Sequence, residues 1–170
     1  VTKWYNVKLN YSKNYRVPTF NDLYWYAGGN INLQAETVHQ YEITNEFQFK
    51  AFQFQVAGYY NDFQNLLKWS PNESGYWTPE NVENVQSYGA EFSLNFKQNF
   101  KTFRIESSTN YSYTISVDEK TQKQLIYVPY HKFTSNWNFN YHRVSFNYQM
   151  VFNGAVFTFI DNYFFLKENI

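Results

Sequence analysis

The sequence predicts an all-β fold: an antiparallel up-and-down meander that forms part of a large transmembrane β-barrel. Apolar and polar residues alternate with a period of two along most of the chain, which is the period of a strand and not of a helix. The predicted strands run to about ten residues or more, whereas soluble strands usually have about five or six, and roughly 9–11 tilted residues cross a bilayer. The connections alternate between long and short, which is typical of membrane barrels with long loops at one end and tight turns at the other.

The composition fits a sheet with one apolar face and one polar face. Of the 170 residues 24% are aromatic, yet the mean hydropathy is −0.63, because polar residues fill the alternate positions. No apolar run approaches the ~20 residues of a transmembrane helix. The net charge is zero, so no basic patch predicts a nucleic-acid partner. The chain has no cysteine, which excludes a disulfide framework and thiolate chemistry within it.

The alternation is clearest between Tyr41 and Tyr60, where two runs flank Lys50-Ala51 and predict an antiparallel hairpin. We expect its apolar face to contact lipid and its polar face, rich in carboxylates and amides, to face the barrel lumen. The apolar face consists of Tyr41, Ile43, Phe47, Phe49, Phe52, Phe54, Val56 and Tyr60.

The same unit repeats along the chain. A first strand is predicted at 3–12, the hairpin at 38–62, and further strands at 84–96, 103–117, 125–141 and 144–152, with an eighth beginning near Tyr163. The long loops carry the breakers Pro18, Gly28-Gly29, Pro71, Gly75 and Pro79, and short turns are predicted at 50–51, 97–102 and 142–143. The paired glycines are expected to adopt the positive φ of a tight reversal.

Three polar residues, Asn45, Ser107 and Thr109, interrupt otherwise apolar faces, and a soluble sandwich or solenoid would alternate as well. Such folds need neither long strands nor aromatic residues near the strand ends, where the interfacial girdle of a membrane barrel lies. Seven strands and the start of an eighth do not close a barrel. The chain is therefore expected to be either part of a larger barrel or an eight-stranded barrel clipped at its end.

Three motifs resemble those of a known family. The first long loop reads RVPTFNDLYW at 16–25 and GNINLQAE at 29–36, followed by Tyr41-Glu42; the second motif is Asn84-Val85 with Gly89-Ala90-Glu91, and the third is YVPYH at 127–131. In this order they resemble TonB-dependent outer-membrane receptors, in particular the vitamin B12 receptor type of Bacteroidetes. The sequence departs from the family pattern at Ile31 and Ala35, where the family usually has Pro, and at Val38, where it has a small hydroxyl residue.

The resemblance implies a 22-stranded barrel filled by a plug domain, in the outer membrane of a Gram-negative cell. Residues 1–170 would be a fragment from the C-terminal part of the barrel wall, without the plug domain and the TonB box. The implied partners are membrane lipid, TonB acting through the plug or TonB box, and a small-molecule nutrient; no bound cofactor is implied. Cobalamin is the leading cargo, and an iron chelate (a siderophore or haem) or a glycan is the alternative. A structural or adhesive barrel without transport, and a soluble binding module, are rival classes.

Candidate ligand-binding residues are the large aromatic residues of the two long loops: Tyr24, Trp25, Trp69, Tyr76 and Trp77. As a set they can form a platform for a corrin, haem, siderophore or glycan; individually, each can also serve as an interfacial anchor or pack within its loop. No Gly-x-Ser-x-Gly elbow or other nucleophile and base arrangement indicates catalysis. The three histidines lack the paired spacing of a metal site, so no metal ligand is predicted.

Overall fold

The computed structural model describes residues 4–26 and 28–169, apart from the side chain of Glu83. The main strands are β1 Tyr5–Arg16, β2 Glu36–Phe49, β3 Phe52–Pro71, β4 Trp77–Asn99, β5 Phe103–Asp118, β6 Lys123–Gln124, β7 His131–Tyr141 and β8 Val144–Asn153. Seven long and adjacent strands form one antiparallel meander in the order β1-β2-β3-β4-β5-β7-β8, and the short strand β6 pairs with β5. A separate small sheet pairs β9 Val156–Phe157 with β10 Phe165–Leu166, and one helix, α1, spans Phe20–Tyr24.

The hairpin and its predicted phase are confirmed. Phe47 pairs with Phe54 and Tyr41 pairs with Tyr60 across β2 and β3, and Lys50 turns the chain with a φ of 31°. Directly opposed residues share a face, so the apolar positions of the two strands coincide. The apolar face continues over β4, where Phe54 meets Leu94.

Two of the three polar interruptions of the apolar face, Asn45 and Thr109, are hydrogen-bonded to side chains of neighbouring strands. The Tyr5 hydroxyl donates to the Asn45 side chain at 2.7 Å, and the Thr109 and Ser135 hydroxyls are 2.8 Å apart across β5 and β7. Ser107, on the same face, is only 8% exposed. Polar groups on a lipid-facing surface are tolerated when a protein group satisfies them, so the paired residues fit the apolar face.

The tight turns lie at one end of the sheet and the long connections at the other, as predicted. The turns comprise residues 50–51, 100–102 and 142–143, and the connections at the opposite end are 17–35, 72–76 and 119–130. The second turn is shorter than the predicted 97–102, because β4 continues to Asn99. No helix among the described residues has the length and apolarity to cross a membrane.

Several predicted boundaries were wrong. The first strand continues to Arg16, and its predicted first residue, Lys3, lies outside the described residues. The predicted loop at 63–83 is mostly a two-stranded extension of β3 and β4, with only residues 72–76 outside the strands. The strand predicted from 125 begins at His131, because the preceding segment turns at Tyr127, which has a φ of 60°, and contains Pro129. The predicted eighth strand is the two-residue β10 of the small sheet, rather than the next strand of the wall.

Candidate functional site

The candidate site is the end of the sheet where the long loops meet, which we call the loop end: residues 17–35, 65–83, 119–130 and 154–164. At its base, Arg16 and Glu36 stand opposite one another as the last residue of β1 and the first of β2. The Arg16 guanidinium donates to Glu36 Oε2 at 3.0 Å and to the Leu67 carbonyl oxygen at 2.8 Å, and the Leu67 N–H donates to the same Glu36 oxygen at 2.9 Å. Arg16 and Glu36 therefore hold the two ends of the first loop against β3. Because Glu36 is only 9% exposed, water screens the charge of its carboxylate weakly.

The helix α1 begins with a capping box. The Thr19 hydroxyl accepts from the Asp22 N–H at 3.2 Å, and Asp22 Oδ2 accepts from the Thr19 N–H at 2.8 Å. The other Asp22 oxygen accepts from the indole N–H of Trp69 at 2.9 Å. The Thr19 N–H is the main reason that the pKa of Asp22 lies below its ordinary value, with further contributions from the Thr19 hydroxyl and the Trp69 indole. The helix thereby holds the first loop against the β3–β4 extension.

The rest of the first loop binds β4 through amide groups. The Gln34 N–H donates to Asn81 Oδ1 at 2.8 Å, and Asn81 Nδ2 donates back to the Gln34 carbonyl at 3.1 Å. Gly28 and Gly29 lack the positive φ predicted for them, since the only glycine with a positive φ among the described residues is Gly75. They are required by close approach instead: a Cβ on Gly29 would lie 2.6 Å from the Trp25 nitrogen, and one on Gly28 would lie 2.9 Å from the Trp77 carbonyl oxygen.

The five predicted ligand-binding residues do not form a single platform. Trp25 and Trp69 contact each other edge to face, with ring centroids 5.5 Å apart. The ring centroid of Trp77 lies 6.3 Å from that of Tyr127 in the third connection. Tyr24 packs against its helix neighbour Phe20. Tyr76 is 63% exposed in the connection 72–76 between β3 and β4, which we call the hairpin tip. Of the five residues, only Trp25 and Trp69 form a ring pair with each other.

A cleft at the loop end involves residues that the sequence analysis did not select. It measures about 740 Å³ and lies between the hairpin tip, the third connection and the segment after β8; we call it the loop cleft. Its apolar wall includes Ile126, Phe159 and Ile160, and Lys123 and Asp161 stand beside them. Lys123 donates to the Asp161 carbonyl oxygen at 2.8 Å, which ties the two segments together. The sequence feature that could have indicated this cleft is the apolar run 155–160. Its residues do not alternate between apolar and polar as those of a predicted strand do.

The third connection and the segment after β8 are joined by a second set of hydrogen bonds. The buried Gln124 accepts from the Ser116 N–H at 2.9 Å, and its own N–H donates to Asn162 Oδ1 at 3.0 Å. Asn162 Nδ2 returns a bond to the Gln124 carbonyl at 3.1 Å. Together with the first-loop contacts, these bonds make the loop end a preorganised surface.

Below the loop end, the polar face of the sheet is lined with hydroxyls, amides and carboxylates. The Lys8 ammonium lies 2.7 Å from Glu46, and the Tyr59 and Thr114 hydroxyls are 2.7 Å apart. A shallow depression of about 450 Å³ on this face lies between Glu91 and Lys132, over the small residues Ala57 and Ser112. The described residues contain no group of three or more His, Cys, Asp or Glu side chains that could hold a metal ion.

Residues 1–168 match a family model described as "TonB dependent receptor-like, beta-barrel". The chain belongs to the TonB-dependent receptor family. Proteins of this family are located in the outer membrane of Gram-negative bacteria, and the predicted location is therefore confirmed. The apolar face of the sheet is the lipid-facing face of a barrel wall, which confirms the predicted fold class.

Curated relatives are named as vitamin B12 transporters. The chain is 32% identical over 145 residues to "Vitamin B12 transporter BtuB" of Photobacterium profundum, which covers 83% of this chain and 23% of that protein. A protein of the same name from Vibrio vulnificus strain YJ016 is 32% identical over 94 residues, covering 55% of this chain and 15% of that protein. The chain thus spans less than a quarter of the length of these relatives.

Solved structures of the same fold carry other names. "Copper transporter OprC" superimposes with a TM-score of 0.71 at 12% identity, over 91% of this chain and 25% of that one. The ferric enterobactin receptor PfeA of Pseudomonas aeruginosa superimposes with a TM-score of 0.68 at 19% identity, over 92% of this chain and 26% of that one. At these identities the likeness establishes the fold alone.

Proposed function

We propose that the chain forms part of the barrel wall of a TonB-dependent transporter that takes up cobalamin through the outer membrane. The single observation that supports the cargo is the 32% identity, across 83% of the chain, to a protein named as a vitamin B12 transporter. The copper and siderophore names belong to structures of 12% and 19% identity, so they do not bear on the cargo of this chain. Transport, and not catalysis, is the proposed activity.

The two sheet edges support the proposal that the wall continues beyond these strands. Among the described residues, the long strands β1 and β8 each pair along one side only with another long strand. An unpaired edge of this length in a bilayer would leave many backbone N–H and C=O groups unsatisfied, at a cost of several kcal/mol each. We propose that further strands of a larger barrel pair with both edges. A plug domain outside residues 1–170 would fill the barrel and link it to TonB.

The loop end suits a large amphipathic ligand. A corrinoid presents a broad ring with amide side chains at its periphery, and aromatic faces beside amide-bearing residues complement such a surface. Tyr76 and Trp77 are exposed at the hairpin tip and are proposed to contact the ligand directly, as is the exposed Trp25. Trp69 donates its indole N–H to Asp22, and Tyr24 packs against Phe20, so these two are proposed to support the loop under that contact surface.

Growth of a host that depends on external cobalamin tests the proposed activity. The host lacks its own vitamin B12 receptor and receives the full-length receptor that contains this chain. We expect growth on limiting cyanocobalamin with the receptor and with TonB, and no growth when either is deleted. Growth that is equal with and without the receptor would contradict the cobalamin proposal. Rescue by a ferric chelate under iron limitation, without rescue by cyanocobalamin, would reassign the cargo to iron.

A pair of tryptophan variants tests the proposed contact surface in the same host. Trp77→Ala removes an exposed ring of the hairpin tip, whereas Trp137→Ala removes a ring from β7, on the lipid-facing side of the wall. The Trp77 variant should need about fivefold more cyanocobalamin for half-maximal growth, which corresponds to about 1 kcal/mol of binding free energy. The Trp137 variant should match the parent receptor if its amount in the membrane is equal. An equal requirement in both variants would remove Trp77 from the contact surface.

A further inference from the structure

One glycine of the wall has no local structural reason to be glycine. Gly28, Gly29, Gly89 and Gly154 each stand where a Cβ would lie 3.0 Å or less from another atom, and Gly75 has a φ of 81°. Gly58 lies in the middle of β3 without a positive φ, and a Cβ there would meet only Ile43 Cγ2, at 3.7 Å. Glycine weakens a strand interior, and where neither a bulge nor a tight packing contact requires it, it often marks the close approach of a ligand.

The space over Gly58 is a notch in the lipid-facing surface. Gly58 pairs with Ile43 on one side and with Ala90 on the other, and Ala90 pairs with Tyr113. The two small residues thus form a floor two strands wide between larger side chains. The resulting depression measures about 790 Å³ and is predominantly apolar. This size falls within the roughly 300–1,000 Å³ of small-molecule sites.

A row of tyrosines borders the notch on the side of the long loops. Tyr11, Tyr41, Tyr60 and Tyr88 are consecutive register partners across β1 to β4. Tyr11 is hydrogen-bonded to His39, at 2.9 Å. The hydroxyls of Tyr41, Tyr60 and Tyr88 have no hydrogen-bond partner among the described residues. These three residues are 48%, 38% and 38% exposed, so their hydroxyls are accessible to a ligand.

The tyrosine row also indicates how deep in the membrane the notch lies. The next lipid-facing positions toward the long loops are Lys13, His39 and Asp62, which are register partners across β1 to β3. Aromatic residues with a polar tip lie at the boundary between hydrocarbon and headgroups, and charged residues lie beyond it. The notch therefore lies just inside the hydrocarbon layer, and the tyrosine hydroxyls lie at the level of the polar linkages of a lipid.

We propose that the notch over Gly58 and Ala90 is a lipid-binding site that holds an acyl chain of a membrane lipid. The apolar floor would take the chain, and the hydroxyls of Tyr41, Tyr60 and Tyr88 would donate to the oxygen atoms that link the chain to its headgroup. The occupant follows from position: the notch is continuous with the lipid-facing surface of an outer-membrane barrel, so the bilayer supplies the ligand. This site is independent of the cargo of the transporter.

Native mass spectrometry of the full-length receptor tests the site. The receptor is transferred into detergent micelles, mixed with palmitoyl-oleoyl phosphatidylethanolamine, and its retained lipid is counted. Gly58→Phe fills the notch, and Met150→Phe adds a similar ring on the lipid-facing surface of β8, outside the notch. We expect one lipid retained by the parent receptor and by the Met150 variant, and about tenfold lower occupancy in the Gly58 variant.

A second variant, Ala90→Leu, covers the case in which Gly58→Phe does not fold. If Gly58→Phe yields no folded receptor, Ala90→Leu fills the same notch from β4 and should lower the occupancy in the same direction. Equal lipid retention by the parent and by a folded notch-filling variant would overturn the proposal. A parent receptor that is dimeric, and becomes monomeric on filling the notch, would overturn it as well, since a second copy would then occupy the surface.

Discussion

Gly89→Ala adds one methyl group where the space is already occupied. Gly89 lies on the polar face of β4, between Tyr59 of β3 and Thr114 of β5. The Tyr59 side chain crosses over the glycine, and its hydroxyl lies 2.7 Å from the Thr114 hydroxyl. A Cβ at position 89 would lie 2.9 Å from the Tyr59 hydroxyl and would overlap the Tyr113 carbonyl oxygen. A backbone carbonyl in a paired strand cannot rotate away, so the strands must shift.

The expected cost combines opposing terms. Overpacking costs about 1–3 kcal/mol, and loss of the bond between Tyr59 and Thr114 costs about 0.5–1.5 kcal/mol. The lower backbone entropy of alanine in the unfolded chain returns about 0.5–1 kcal/mol. Gly89→Ala should therefore destabilise the wall by about 2 kcal/mol. Gly58→Ala is the matched control, because its Cβ would meet only Ile43, at 3.7 Å, and it should stabilise by about 0.5–1 kcal/mol.

Urea unfolding of the full-length receptor in lipid vesicles measures both variants. Tryptophan fluorescence follows the transition, and the heat-dependent gel mobility of a folded barrel checks that both start from the same state. The free energies of unfolding should differ by about 3 kcal/mol between the two alanine variants. If Gly89→Ala is as stable as Gly58→Ala, then the Tyr59 ring does not cross the glycine and the register that places β4 between β3 and β5 is wrong.

Three further predictions concern the faces of the wall and the base of the loop end. Phe54→Lys places a charge on the lipid-facing surface and should cost about 2–4 kcal/mol in the same unfolding assay, whereas Gln55→Lys, on the polar face, should cost much less; equal costs would contradict the assignment of faces. Glu36→Ala leaves the Leu67 N–H without its acceptor and the exposed Arg16 with only the Leu67 carbonyl, and should cost about 1–3 kcal/mol, while Glu36→Gln should cost less because it keeps an acceptor oxygen. The pKa of Asp22 is lowered in the folded state, so its contribution to stability is present above the ordinary carboxyl pKa of 3.8 and is lost as the pH falls through the lower folded value. Below about pH 4, protease cleavage of the first loop should therefore increase in the parent receptor, and Asp22→Asn should be cleaved readily at all pH values; a parent whose cleavage stays constant between about pH 6 and pH 3 would refute this role.

The strand phase and the end-to-end asymmetry could be predicted from the sequence because they depend on local patterns. A period of two assigns each side chain to a face, and the register then places Phe47 opposite Phe54 without further information. Arg16 and Glu36, at the two ends of the first loop, are register partners in the same way.

The β3–β4 extension could not be predicted because its prolines indicated a loop. Pro71 and Pro79 lack an N–H, which normally excludes them from a central strand. In the structure, β2 pairs with β3 only as far as Gln64 and β5 pairs with β4 only from Val85, so both prolines lie in a two-stranded ribbon whose outer edges have no strand partner. A proline there loses no ladder bond on its outward side. Edge position depends on the neighbouring strands and is not encoded in the local pattern.

The aromatic residues of the loops show the same limit. Their positions in the long loops were evident from the sequence, but their partners were not. The pairing of Trp25 with Trp69, and of Trp77 with Tyr127, depends on how three connections fold over one another. The loop cleft was missed for the same reason, because its walls come from segments that are distant in sequence.

Titration of the full-length receptor with cyanocobalamin in detergent micelles tests the central proposal most directly. The proposal predicts saturable binding of one cyanocobalamin per receptor, with a dissociation constant of about 1 μM or tighter, which is about −8 kcal/mol or more favourable. Absence of binding by a receptor whose gel mobility shows that it is folded would contradict the cobalamin assignment and would leave only the family and the fold established.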